Sequence, residues 1–312
     1  MSPSLVSDRP ASVSILRILA MVIFGYIVMG NVVAMLIISI LYQGNLLEAL
    51  SDPLNHPDIR NIMLLAQGVA SLVGLVLIPW YYLRAFEHRT LAKFFGGFPS
   101  LPWVLILGAL VIALGVSISP IAEWNAHVQL PSWTGALGEF LRQFEDQAAV
   151  LVKAFLANLT PLSFLLAFVV IAVVPALGEE LVFRGLIQNE FRRAFGNPHV
   201  AIWLSAAFFS AFHMQFFGFF PRLILGAVMG YVYYWSGNLW IPILLHFLNN
   251  GIQVVAIYLM QLKVHSLDVE STESAPWPYV AAALLLMAGL LYYCRKNLLP
   301  PDASSETPPA VQ

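Results

Sequence analysis

Six polar side chains in the second half of the chain have the types and spacing of a hydrolytic site. Glu179 and Glu180 stand side by side in "GEELVFRG", with Arg184 one helical turn further on, while His213 ends "FSAFH" and His246 and Asn250 frame "HFLNN". On an α-helix Glu180 and Arg184 are i, i+4 neighbours able to form an ion pair, and Glu179 points about 100° away from Glu180. The pair reads as structural and mutually neutralising, which leaves Glu179 free to face a cavity as a general base. His246 and Asn250 are again one turn apart and share a helix face. Each residue also has a plainer use. Glu179, Glu180 and Arg184 could snorkel at a helix end, and a histidine, Asn249 or Asn250 could bridge two membrane helices.

The elements that carry these groups are apolar. Of 312 residues 59% are hydrophobic and 10% charged, and the mean hydropathy is +0.78, too apolar for a water-soluble globule. A membrane-spanning helix needs about 20 apolar residues, and the sequence offers eight candidate stretches: roughly 17–42, 61–83, 102–121, 161–182, 200–214, 219–236, 239–260 and 276–294. The expected fold class is all-α, a polytopic membrane protein with about eight transmembrane helices. Thr160 and Pro161 supply an N-cap and a first-turn proline for the fourth stretch, whose helical pattern runs on to about Phe195. That is longer than a bilayer, so one end must project or the helix must bend at Pro175. With both termini inside, ten of the fifteen lysines and arginines fall on the cytoplasmic side, as positive-inside topology requires. Counted from that side at 1.5 Å per residue, Glu179 lies roughly 15 Å deep, His213 roughly 18 Å and His246 roughly 10 Å. Ionisable groups are expensive at such depth, and their convergence from three helices argues for a site.

Between the third and fourth stretches, "GALGEFLRQFEDQAAVLVKAFLANL" has the periodicity of an interfacial amphipathic helix. The first stretch is too long for a cleavable signal peptide and has no small-residue cleavage site after it. The tail from Leu298 is rich in Pro, Ser and acidic residues, with too little apolar surface to fold alone. Tyr231, Tyr233, Tyr234, Trp235 and Trp240 read as an interfacial aromatic belt, and Arg222 as a topology or lipid-headgroup residue. The single cysteine, Cys294, lacks a partner for a disulfide or a neighbouring histidine, and Ser210 lies in no nucleophile motif, so covalent catalysis is disfavoured. A net charge of −2 with no run of like charges argues against a nucleic-acid partner.

In order, EExxxR (Glu179 to Arg184), FxxxH (Phe209 to His213) and HxxxN (His246 to Asn250) resemble the CAAX protease and bacteriocin-processing family of intramembrane endopeptidases, over roughly Pro161 to Met260. The resemblance implies a glutamate-dependent peptidase whose cavity opens toward the cytoplasm. Glu179 with His213 would activate water, His246 and Asn250 would donate to the oxyanion, Glu180 and Arg184 would hold the site, and Phe209 would pack beside His213. No cofactor is expected. Zinc on Glu179, His213 and His246 is the less favoured variant, since the chain has no HExxH. The partners implied are a peptide or membrane-protein substrate and the lipid bilayer. The chain divides into amino-terminal membrane helices with the interfacial helix (1–160), a catalytic core (161–260), a last membrane helix (261–297) and the tail (298–312). A non-proteolytic scaffold or self-immunity protein on the same fold is the alternative. Nothing selects a prenylated substrate. The expected location is a prokaryotic plasma membrane, with both termini cytoplasmic.

Overall fold

A computed structural model describes residues 9–264 and 273–298; residues 299–312 of the tail lie outside the described residues. Among these the regular structure is helical throughout. The main helices are α1 (Ala11–Leu41), α2 (Pro57–Ala85), α3 (Leu101–Ala126), α4 (Gly135–Leu156), α5 (Pro161–Phe195), α6 (Pro198–Phe212), α7 (Phe219–Ser236), α8 (Trp240–Gln261) and α9 (Trp277–Asn297). Seven are long and apolar enough to cross a membrane: α1, α2, α3, α5, α8, α9, and α7 together with the tight turn Phe216–Gly218 before it. The chain is a polytopic helical membrane protein.

The stretch expected at roughly 200–214 is too short to make an eighth span. Helix α6 has 15 residues, about 22 Å of axis, which falls short of a ~30 Å hydrocarbon core. His213 therefore does not lie inside a span. It caps α6, and Met214, in the left-handed region at φ 57°, turns the chain back toward α7.

Helix α5 begins as its sequence requires. Thr160 and Ser163 cap each other reciprocally, with Pro161 in the first turn. Pro175 lacks an N–H and so frees the carbonyl of Ile171 four residues before it. Rather than kinking sharply, α5 widens into π-type turns over Val169–Val173, and the amide Nδ2 of Asn250 on α8 donates to the Ile171 oxygen at 3.0 Å. A second wide stretch, Leu181–Gln188, is buried at every position; such widenings recur at functional sites. The helix ends at Gly196 with φ +66°, and Asn197 caps the start of α6 through the amides of His199 and Val200.

Helix α2 meets α5 just before its glutamates. A Cβ on Gly178 would lie 2.7 Å from that of Leu75 on α2, so only hydrogen fits there. Gly178→Ala is expected to push α2 and α5 apart and cost about 1–3 kcal/mol, measurable as an earlier unfolding transition in detergent. Helix α4 is the amphipathic helix read from the sequence, with Ala154 and Leu156 its buried residues; it packs on α2, α5, α8 and the Phe216–Gly218 turn. One surface expectation needs correction. Tyr233 is buried, not part of a belt, and its hydroxyl accepts from Asn189 at 3.0 Å. The guanidinium of Arg222 is engaged within the protein as well, its Nη2 donating to the carbonyl of Gln215 at 2.5 Å.

Candidate active site

The neighbours of Glu180 and Arg184 account for why such charges tolerate burial. Their side chains are 0% and 1% exposed, and Arg184 Nη1 donates to Glu180 Oε1 at 2.6 Å. The second guanidinium nitrogen donates to the carbonyl of Gly226 on α7 at 3.0 Å, and the guanidinium carbon lies 4.5 Å from the centre of the Phe209 ring. Arginine suits this place because its fork serves a carboxylate and a carbonyl at once while its flat face rests on an aromatic ring. The pair expected from the i, i+4 spacing is present, and it has a third member. Glu180 Oε1 also accepts from Nδ1 of His246 at 2.8 Å, joining α8 to α5.

Both histidines are oriented through Nδ1. In His246 that nitrogen faces the Glu180 carboxylate. In His213 it faces the Phe209 carbonyl at 2.9 Å, one turn back along α6. Carboxylates and carbonyls only accept, so Nδ1 is the donor in each ring and Nε2 is turned elsewhere. Both Nε2 atoms lie 4.0 Å from the same atom, Oε2 of Glu179. That oxygen is buried and has no hydrogen-bond partner. Phe209 braces the arrangement, its ring centre 5.1 Å from that of His213 and 6.0 Å from that of His246.

The structure thus brings Glu179, His213 and His246 together, with Glu180, Arg184 and Phe209 packed behind them. Asn250 is placed differently. Its Nδ2 serves the Ile171 carbonyl freed by Pro175, and its Oδ1 accepts from Asn249 at 3.0 Å, the helix-bridging use considered for both asparagines. One Nδ2 proton of Asn250 is left over, since an amide carries two. Among the described residues, no group of three or more His, Cys, Asp or Glu side chains is close enough to hold a metal ion, so zinc on Glu179, His213 and His246 would require the three to draw together. Ser210 spends its hydroxyl on the Phe219 carbonyl at 2.6 Å. Sequence reasoning missed Ser205, which ties α6 to α5 through the Phe183 carbonyl at 2.8 Å, and the Gly226 carbonyl under Arg184. A small polar residue in an apolar run and a backbone acceptor leave no pattern to read.

The arrangement is one carboxylate oxygen without a partner between two oriented imidazoles, backed by a buried ion pair. Residues 161–252 match the family described as type II CAAX prenyl endopeptidase Rce1-like. The Rce1-like segment begins at the first residue of α5 and ends within α8, so it contains all the residues named above. The chain is also similar to a Bacillus subtilis (strain 168) protein named uncharacterized protein YpbD, 25% identical over 169 residues, which covers 52% of this chain and 78% of that one. No solved structure matches the chain. Similarity of the Rce1-like segment is to a CAAX-type peptidase family, and the helices around it make the protein an integral multi-pass membrane protein.

Proposed function

We propose that this protein is an intramembrane glutamic endopeptidase in which Glu179 activates a water for attack on a peptide bond. The observation that carries the reading is the buried, unpartnered Oε2 of Glu179, 4.0 Å from Nε2 of both His213 and His246. A gap of that size is too long for a direct hydrogen bond and is of the kind a water bridges. In this account Glu179 takes a proton from that water, assisted by His213, as the hydroxide adds to the scissile carbonyl. It later returns the proton to the leaving amine.

The link to Glu180 gives His246 its role, orienting the ring through Nδ1 as an aspartate orients the histidine of a serine protease. His246 and the unused Nδ2 proton of Asn250 then serve the oxyanion. A preorganised donor of this kind is worth about 2.7–4 kcal/mol. Glu180, Arg184 and Phe209 hold the histidines and touch no reacting atom.

The substrate is a peptide or a membrane-protein segment. The lysine and arginine distribution supports cytoplasmic termini, and the proposed location is a prokaryotic plasma membrane. Purified protein in detergent, offered matched fluorogenic peptides with and without a prenylated cysteine, tests activity and substrate class together. Cleavage of either, lost in His213→Ala, is the expected result. Failure to cleave either peptide, or equal cleavage by His213→Ala, contradicts the reading.

A further inference from the structure

The loop that carries His213 is held in part by side chains outside the catalytic segment. Helix α6 ends at Phe212 and α7 begins at Phe219, and the helix-end backbone groups in the reversal between them need partners. Four side chains from four helices supply them. Asn125, at the end of α3, donates from Nδ2 to the Phe216 carbonyl at 3.2 Å and accepts from the Phe220 amide at 3.0 Å, gripping both ends of the turn. Glu145 on α4 accepts from the Phe217 amide at 3.1 Å. Ser210 on α6 donates to Phe219, and Arg222 on α7 to Gln215. Arg142, one turn before Glu145 on α4, lays its guanidinium 3.4 Å from the centre of the Phe217 ring.

Asn125 is 0% exposed. A helix end facing water would need no such residue, and a polar amide in this interior is costly unless both of its groups are used. The contacts converge on backbone two to seven residues beyond His213, whose imidazole must be fixed relative to Glu179 for proton transfer. Small displacements of a reacting group lower rates steeply.

We infer that Asn125 and Glu145 are positioning residues for His213, so that α3 and the amphipathic helix α4 are working parts of the active site. The inference rests on the peptidase reading, since His213 must act at Glu179 for its placement to matter in turnover. The amino-terminal half is then more than a membrane anchor, because the seat of α4 sets the geometry of a loop it does not contain.

Two readouts on the full-length protein test this, one of them independent of cleavage. In the first, kcat and KM are measured for wild type, Asn125→Ala, Glu145→Ala and Glu145→Gln, with Glu179→Gln as the inactive control. The alanine variants are expected to lose roughly tenfold to a hundredfold in kcat, with KM little changed and unfolding midpoints near wild type. Glu145→Gln, whose side-chain oxygen still accepts from Phe217, is expected to keep most activity. In the second, a thiol placed by Met214→Cys, at a position 52% exposed, is alkylated with a maleimide; Cys294 is buried and silent. Labelling is expected to run severalfold faster in both alanine backgrounds as the loop loosens. Unchanged kcat in an enzyme that Glu179→Gln silences, or unchanged labelling in both backgrounds, overturns the inference. Should wild type itself cleave nothing, the peptidase reading is what fails, and the labelling rates alone decide whether Asn125 and Glu145 hold the loop. Should Asn125→Ala not fold, Glu145→Ala carries both measurements.

Discussion

Glu180→Ala is expected to destabilise the protein by about 3–5 kcal/mol, because it leaves Arg184 charged and unpaired in a fully buried place. The loss reaches beyond the arginine. His246 loses the acceptor that orients its ring, and the contact joining α5 to α8 at this level goes with it. Arg184→Ala should be comparable, since it strands Glu180 and removes the side-chain donor to the Gly226 carbonyl. Unfolding in detergent followed by helical circular dichroism checks both. A variant of either kind as stable as wild type would mean that water reaches the pair and that its burial is not real. Inactivity of these two variants says nothing about chemistry, because a protein that fails to fold is also inactive.

Glu179→Gln separates chemistry from folding. The substitution keeps volume and an acceptor oxygen but removes the base, and a loss of about 10²–10⁴-fold in turnover is expected. Its stability should move the other way. The Oε2 atom of Glu179 is buried without a hydrogen-bond partner, and such an atom is costly to fold around. Replacing the carboxylate with a neutral amide is therefore expected to raise the unfolding midpoint, the usual trade of stability against function at an active site. A Glu179→Gln protein that is both less stable and still active would reverse the roles of the two adjacent glutamates.

Much of this was legible in the sequence because the chemistry-bearing groups stand out against an apolar background. The i, i+4 spacing of Glu180 and Arg184 placed them as a pair, and the structure joins them at 2.6 Å. The membrane helices and the amphipathic α4 follow from hydropathy and periodicity. What escaped was information that lies between segments. Nothing local tells that Glu180 also serves His246, since the two are far apart in the chain. The freed Ile171 carbonyl could have been read from Pro175, and a donor sought for it, but the identity of Asn250 as that donor needs the packing of α8 on α5. His213 was expected within a membrane stretch of roughly 200–214, whereas α6 ends at Phe212 and the left-handed Met214 turns the chain away. Arg222 and Asn125 have ordinary interfacial readings one at a time, and their convergence on one loop appears when the fold brings α3 and α7 together.

The central claim is that Glu179, without a metal, activates the water. The most direct measurement is cleavage of a quenched peptide library by purified wild-type and Glu179→Gln protein, each with and without a zinc chelator, with folding verified in all four samples. The account predicts cleavage by wild type that persists in chelator and is abolished by Glu179→Gln. Cleavage that chelator removes and zinc restores would contradict it and make Glu179, His213 and His246 ligands instead. Cleavage that survives Glu179→Gln would contradict the assignment of the base altogether.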